Sequence, residues 1–136
     1  MSAEVRSELV AALAQAGGAA GMAGGQMLDL GVAGTNWDAS AVEQLQSMKT
    51  AALFACACEM GAVLGEAPPD QRAALRAFGL NFGLAFQITD DLMDATGDAA
   101  EAGKAVGKDA AQGKATLVEL EGIEGARAAA ARFCHN

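Results

Sequence analysis

The chain has 136 residues, enough for one domain or part of one. Its apolar content of 52% can supply a core, while 17 acidic against 9 basic residues give a net charge of −8, which excludes a nucleic-acid face because phosphates need a basic surface. Cys56, Cys58 and Cys134 make no disulfide framework, and a single histidine, His135, leaves no His-based zinc site and no Ser-His or Cys-His nucleophile.

Ala and Gly dominate, aromatics are few, and no alternating apolar run appears, so the expected fold class is all-α. A first helix is expected from about Ala3 to Ala16. Gly17-Gly18 marks a junction, and a second helix runs to about Leu30. A loop from Gly31 to Asp38 follows, with Asp38 or Ser40 as the cap of the next helix. That helix runs from Ala41 towards Leu64, with room for an interruption. Gly65 to Pro69 is a stop, and Asp70 is expected to cap a long helix reaching about Ala95. Residues 96–113 read as an ordered loop. A last helix starts near Lys114 and breaks at Gly122 or Gly125.

Val10 to Leu28 carries no charge, which raises a membrane-span alternative; Gly, Ala and two glutamines weigh against it. Gly17, Gly21 and Gly25 recur every four residues and could form a ridge that another helix approaches closely. No basic-then-apolar leader opens the chain, and a reducing, cytoplasmic setting is expected. Cys56 and Cys58 read as small core residues on different faces.

Lys49 is out of place. On the wheel of residues 41–64, Val42, Leu45, Leu53, Cys56 and Met60 lie within about 40° of it. Either the side chain snorkels to solvent, or it is aimed into a cavity that holds an anion. Gln26 and Asp29 lie three apart on one helix face, and Gln26 reads as a core hydrogen-bonding group.

The run Asp90-Asp91-Leu92-Met93-Asp94 is the most informative. With Asp90 at zero, Asp94 lies at about 40°, Gln87 at about 60° and Asp91 at about 100°, with Phe86 about 40° to the other side. Three carboxylates and an amide share one arc, and like charges so spaced repel. Mg²⁺, which takes one or two carboxylates, waters and substrate phosphates, would offset that repulsion. Phe82 and Phe86 precede Asp90 at intervals of four, an apolar floor leading to a charged mouth. An amphiphile with an anionic head and a hydrocarbon tail would suit it.

Phe86-Gln87 followed by Asp90 to Asp94 resembles the second aspartate-rich motif of the trans-prenyltransferases, the farnesyl and geranylgeranyl diphosphate synthases of the polyprenyl synthetase family. Gly24-Gly25-Gln26 with Asp29-Leu30 is similar to their Gly-Gly-Gln segment, and Lys49-Thr50 to their Lys-Thr motif. Gly103-Lys104, Gly107-Lys108-Asp109 and Lys114-Ala115-Thr116 resemble the loop after the second motif. The order agrees from about Ala11 to about Arg132, and Phe133 to Asn136 falls outside it as a tail of other origin.

The resemblance implies that residues 1–136 are the second half of a polyprenyl synthetase domain without its final helices, part of a large helical bundle. The implied reaction joins an allylic diphosphate to isopentenyl diphosphate with Mg²⁺. Asp90 and Asp94 would be metal ligands with Asp91 supporting. Lys49, Lys104 and Lys114 would hold the diphosphate, and Thr50 and Gln87 would stabilise the allylic cation, with Lys49-Thr50 departing from regular helix. A homodimer without a membrane span is implied, and the 136 residues alone are expected to be inactive because the first aspartate-rich motif is not among them. Three alternatives stand: a non-catalytic homologue or subunit of a heteromeric synthase, a cyclising terpene synthase, and a helical interaction module.

Overall fold

The computed structural model describes residues 1–31, 37–97 and 115–135. Helix α1 is Ala3–Gly17, α2 is Met22–Gly31 and α3 is Ala39–Gln46; a π-helical turn, Ser47–Ala51, joins α3 to α4, Ala52–Leu64. Helix α5 is Pro69–Thr96 and α6 is Leu117–His135. No strand occurs among the described residues, as an all-α fold requires.

Local chemistry sets most boundaries. The hydroxyl of Ser2 accepts from the Val5 N–H at 3.2 Å and starts α1. A turn from Gly18 to Gly21 then interrupts the helix, so the uncharged run Val10–Leu28 is split between two helices rather than forming one span. Asp38 caps α3 by accepting from the Ala41 N–H at 2.8 Å, while Ser40 lies inside the helix.

Asp70 does not cap α5. Pro68 holds the cap position and Pro69 the first helical one, where the missing N–H costs nothing. Asp70 falls in the first turn instead, where its charge complements the helix dipole.

Helix α5 packs against both α4 and α6, α1 lies on α4, and α2 lies on the π-helical turn. Val42, Ile88, Leu117, Ala126 and Ala129 form the buried cluster between α3, α5 and α6. Sealing a side chain the size of Ile88 stabilises by about 1.5–3 kcal/mol. Within α6, Gly122 adopts φ 73° and breaks the helix, at one of the two positions expected. Beyond it Phe133 is helical and packs on the core cluster, and Arg132 pairs with Glu43 of α3. Phe133 is therefore part of the packed fold.

The expected ridge of Gly17, Gly21 and Gly25 does not form. A Cβ on Gly17 would meet nothing within 4 Å, and one on Gly21 would strike Ala16 of its own turn. Of the three, Gly25 alone meets another element, and Gly79 and Gly83 of α5 likewise let helices touch: a Cβ there would lie 2.7 Å from Ala55 Cα and 2.5 Å from Ala51 Cα, respectively. Among the described residues one helical run, 39–64, is long and apolar enough to cross a membrane by length and composition. It carries an ion-paired lysine and is packed along α5 and α1.

Candidate functional site

The site is built on the π-helical turn. The Ala52 N–H donates to the carbonyl of Ser47, five residues back, so one extra residue is held in that turn. Lys49-Thr50 thus departs from regular helix, as the resemblance implied. Gly25 of α2 fits against this turn so closely that a Cβ would lie 2.4 Å from Lys49 N. One turn further along α2, Asp29 reaches Lys49, with Oδ2 at 2.7 Å from Nζ.

That pairing gives Lys49 a partner that neither reading supplied. The side chain is half-buried and its ammonium is held by a carboxylate from α2. The sequence carried a trace of it: Asp29 follows Gly25 by four residues, so the glycine that permits contact places the acid beside the lysine.

On the other side, Gly83 lets α5 rest on Ala51. This brings two helical edges into register. Thr50 Oγ1 donates to Gln87 Oε1 at 2.8 Å. Gln87 Nε2 donates to Asp91 Oδ1 at 2.9 Å, and Gln46 Nε2 donates to Asp91 Oδ2 at 2.8 Å. Asp91 is buried, with only 6% of its surface exposed.

The three carboxylates therefore divide. Asp91 turns inward onto two amides, whereas Asp90 and Asp94 are partly exposed one turn apart. Among the described residues no three His, Cys, Asp or Glu side chains gather tightly enough to hold a metal by themselves. Two partly exposed carboxylates one turn apart nevertheless fit the habit of Mg²⁺, which completes its shell with water and phosphate oxygens. Lys104 and Lys114 lie outside the described residues.

Beside the carboxylates runs an aromatic wall. Phe78, Phe82 and Phe86 stack along α5 with centroids 6.0 and 6.5 Å apart, and Phe54 of α4 meets Phe82 and Phe86 at 5.2 and 5.4 Å. Phe82 and Phe86 remain about half exposed, at 48% and 51%. A half-exposed apolar strip next to acids is the arrangement read from the Phe82, Phe86, Asp90 spacing.

Behind the π-helical turn a cavity of about 480 Å³ is lined by Ala12, Ser47, Cys56, Glu59 and Arg76 among others, and holds none of the candidate site residues. Burial pushes the Cys56 thiol above its ordinary pKa, Glu59 adds to the rise, and Arg76 opposes it. Cys56 is thus a core residue, while Cys58 is only partly covered.

A family model described as Polyprenyl synthetase matches residues 2–136. The farnesyl diphosphate synthase of Bacillus subtilis is 37% identical over 127 residues, which are 93% of this chain and 43% of that protein. The Escherichia coli farnesyl diphosphate synthase is 41% identical over 124 residues, 90% of this chain and 41% of that one. Among solved structures, an FPP/GFPP synthase from Zymomonas mobilis matches with a TM-score of 0.83 at 40% identity, covering 98% of this chain and 44% of its own. The geranyltransferase of Helicobacter pylori, solved with magnesium and isoprenyl diphosphate, matches with a TM-score of 0.85 at 34% identity, covering 98% and 44%. The chain spans less than half the length of each of these proteins.

Proposed function

The chain belongs to the polyprenyl synthetase family, and from that membership we propose that it forms one wall of a site where an allylic diphosphate condenses with isopentenyl diphosphate. The observation that carries the reading is the facing of two edges. The π-helical turn presents Thr50 to Gln87, and the next turn of α5 presents Asp90 and Asp94.

Asp90 and Asp94 would hold Mg²⁺, with Asp91 supporting them from behind. When bound, Mg²⁺ supplies neutralisation of the charge that grows on the departing diphosphate oxygens. Lys49 donates to the diphosphate, and Lys104 and Lys114 are assigned the same task. Thr50 Oγ1 and Gln87 Oε1 turn lone pairs towards the allylic C1 as its bond to oxygen breaks. The double bond of isopentenyl diphosphate attacks C1 through C4, a proton leaves C2, and the released diphosphate accepts it. The Phe54, Phe82 and Phe86 wall receives the hydrocarbon tail and keeps water from the cation.

This reading places the protein in isoprenoid biosynthesis, as a cytoplasmic homodimer. Val10 and Leu13 of α1, at 68% and 51% exposed, support a covered face. The 136 residues alone are expected to give no condensation product, because they supply only one wall. Calorimetric titration with a bisphosphonate tests the site directly. Heat of binding should appear with Mg²⁺ and vanish when the metal is chelated; no metal-dependent binding would sink the proposal and favour an interaction module.

A further inference from the structure

Gln46, the last residue of α3, is 4% exposed, and its Oε1 accepts no hydrogen bond. A half-satisfied buried amide is costly. Its Nε2, however, donates to Asp91 Oδ2. Gln46 and Thr50 lie one turn apart on one edge, and Gln87 and Asp91 one turn apart on the other. Together they make a chain of three hydrogen bonds: Gln46 to Asp91, Gln87 to Asp91, and Thr50 to Gln87.

The chemistry fixes the direction of every bond. An ionised carboxylate only accepts, so the amide nitrogens of both glutamines must face Asp91. Gln87 is then forced to turn its oxygen towards Thr50. Reversed, the same amide would aim N–H dipoles at the place where positive charge develops. The polarity of Gln87 thus depends on Asp91 standing still, and Gln46 holds the second oxygen of Asp91.

We propose that Gln46 is a positioning residue: by anchoring Asp91 it sets the amide orientation of Gln87 and the pitch of the α5 turn that carries Asp90 and Asp94. The role of that turn rests on the functional reading above, whereas the orientation of Gln87 can be read without it.

Gln46→Met removes both the donor and the orphaned acceptor at constant length. In the ¹⁵N-labelled chain, the Gln87 side-chain amide protons should shift and exchange faster with water than in the unaltered protein. Val63→Ala, a truncation in the core of α4 away from the network, controls for general loosening and should leave them in place. Mg²⁺-dependent bisphosphonate affinity should also fall about tenfold in Gln46→Met, the usual scale for losing a group that orients a ligand. Unchanged Gln87 resonances in Gln46→Met would overturn the inference, and so would an equal response to Val63→Ala. If the unaltered chain binds no metal–bisphosphonate, the functional reading falls while the Gln87 measurement still decides this one.

Discussion

Gly83 of α5 stands directly over Ala51, the last residue of the π-helical turn, so near that a Cβ on the glycine would come within 2.5 Å of Ala51 Cα. Backbone that close cannot yield by rotating a side chain. The helix would have to move, and with it Gln87 and the carboxylates one and two turns on. Gly83→Ala should therefore destabilise by about 1–3 kcal/mol and weaken Mg²⁺-dependent bisphosphonate binding. Gly61→Ala is the contrast. It lies inside α4 with nothing within 4 Å of the added carbon, so it should stabilise by about 0.5–1 kcal/mol. Chemical denaturation of the two variants checks both signs.

Lys49 should be shared between Asp29 and an incoming diphosphate. Lys49→Met removes a charged donor and should cost about 1.5–3 kcal/mol of bisphosphonate binding. Asp29→Asn removes the competitor for the ammonium and should raise affinity by up to about fivefold, the equivalent of a partly exposed ion pair. Titration calorimetry of both variants would show opposite changes. Weaker binding in Asp29→Asn would mean that the acid holds Lys49 in its working position.

Asp90 and Asp94 should act as a unit. Asp90→Asn and Asp94→Asn should each remove most of the Mg²⁺ requirement, and the double variant should lose less than the sum, with a coupling of about 0.5–3 kcal/mol. Asp70→Asn, at the far end of the same helix, should leave binding unchanged. Strict additivity of the two substitutions would show that the carboxylates do not share an ion.

The cysteines should separate by reactivity. The raised pKa of Cys56 means less thiolate at any given pH than a free thiol has, and burial blocks access as well. Cys134 is exposed. Alkylation followed by mass spectrometry at pH 8 should modify Cys134 first and Cys56 last. The lag of Cys56 should shrink as pH rises towards its elevated pKa, or when denaturant is added.

What the sequence disclosed depended on distance along the chain. Phe82, Phe86, Asp90 and Asp94 share one helix, so a single angular period placed the aromatic strip beside the acids. Asp38 was one of two candidates for its cap, and Gly122 one of two for the break. Lys49 with Asp29, and Gln46 with Asp91, are partners from different elements, and only the approach of those elements joins them. Gly25, Gly79 and Gly83 make that approach possible, yet a glycine in a helix shows nothing of what touches it. The wheel of residues 41–64 was also drawn at one pitch, whereas the chain changes pitch at Ser47. Asp70 lost the cap of α5 because two prolines had already set the backbone there.

The extra residue in Ser47–Ala51 acts as a phase shifter between two helices that look like one. Held at regular pitch, an extra residue would rotate everything after it by about 100°; the wider turn absorbs it, so that α4 continues with its faces in place. Without that widening Ala55 would leave Gly79 and Phe54 would leave the aromatic wall, while α3 kept its grip on α5 and α6. The turn is thus a joint at which half of a helix can be aimed at the core and the other half at the site, each with its own alignment, and its length is a constraint on the chain as strict as any of its side chains.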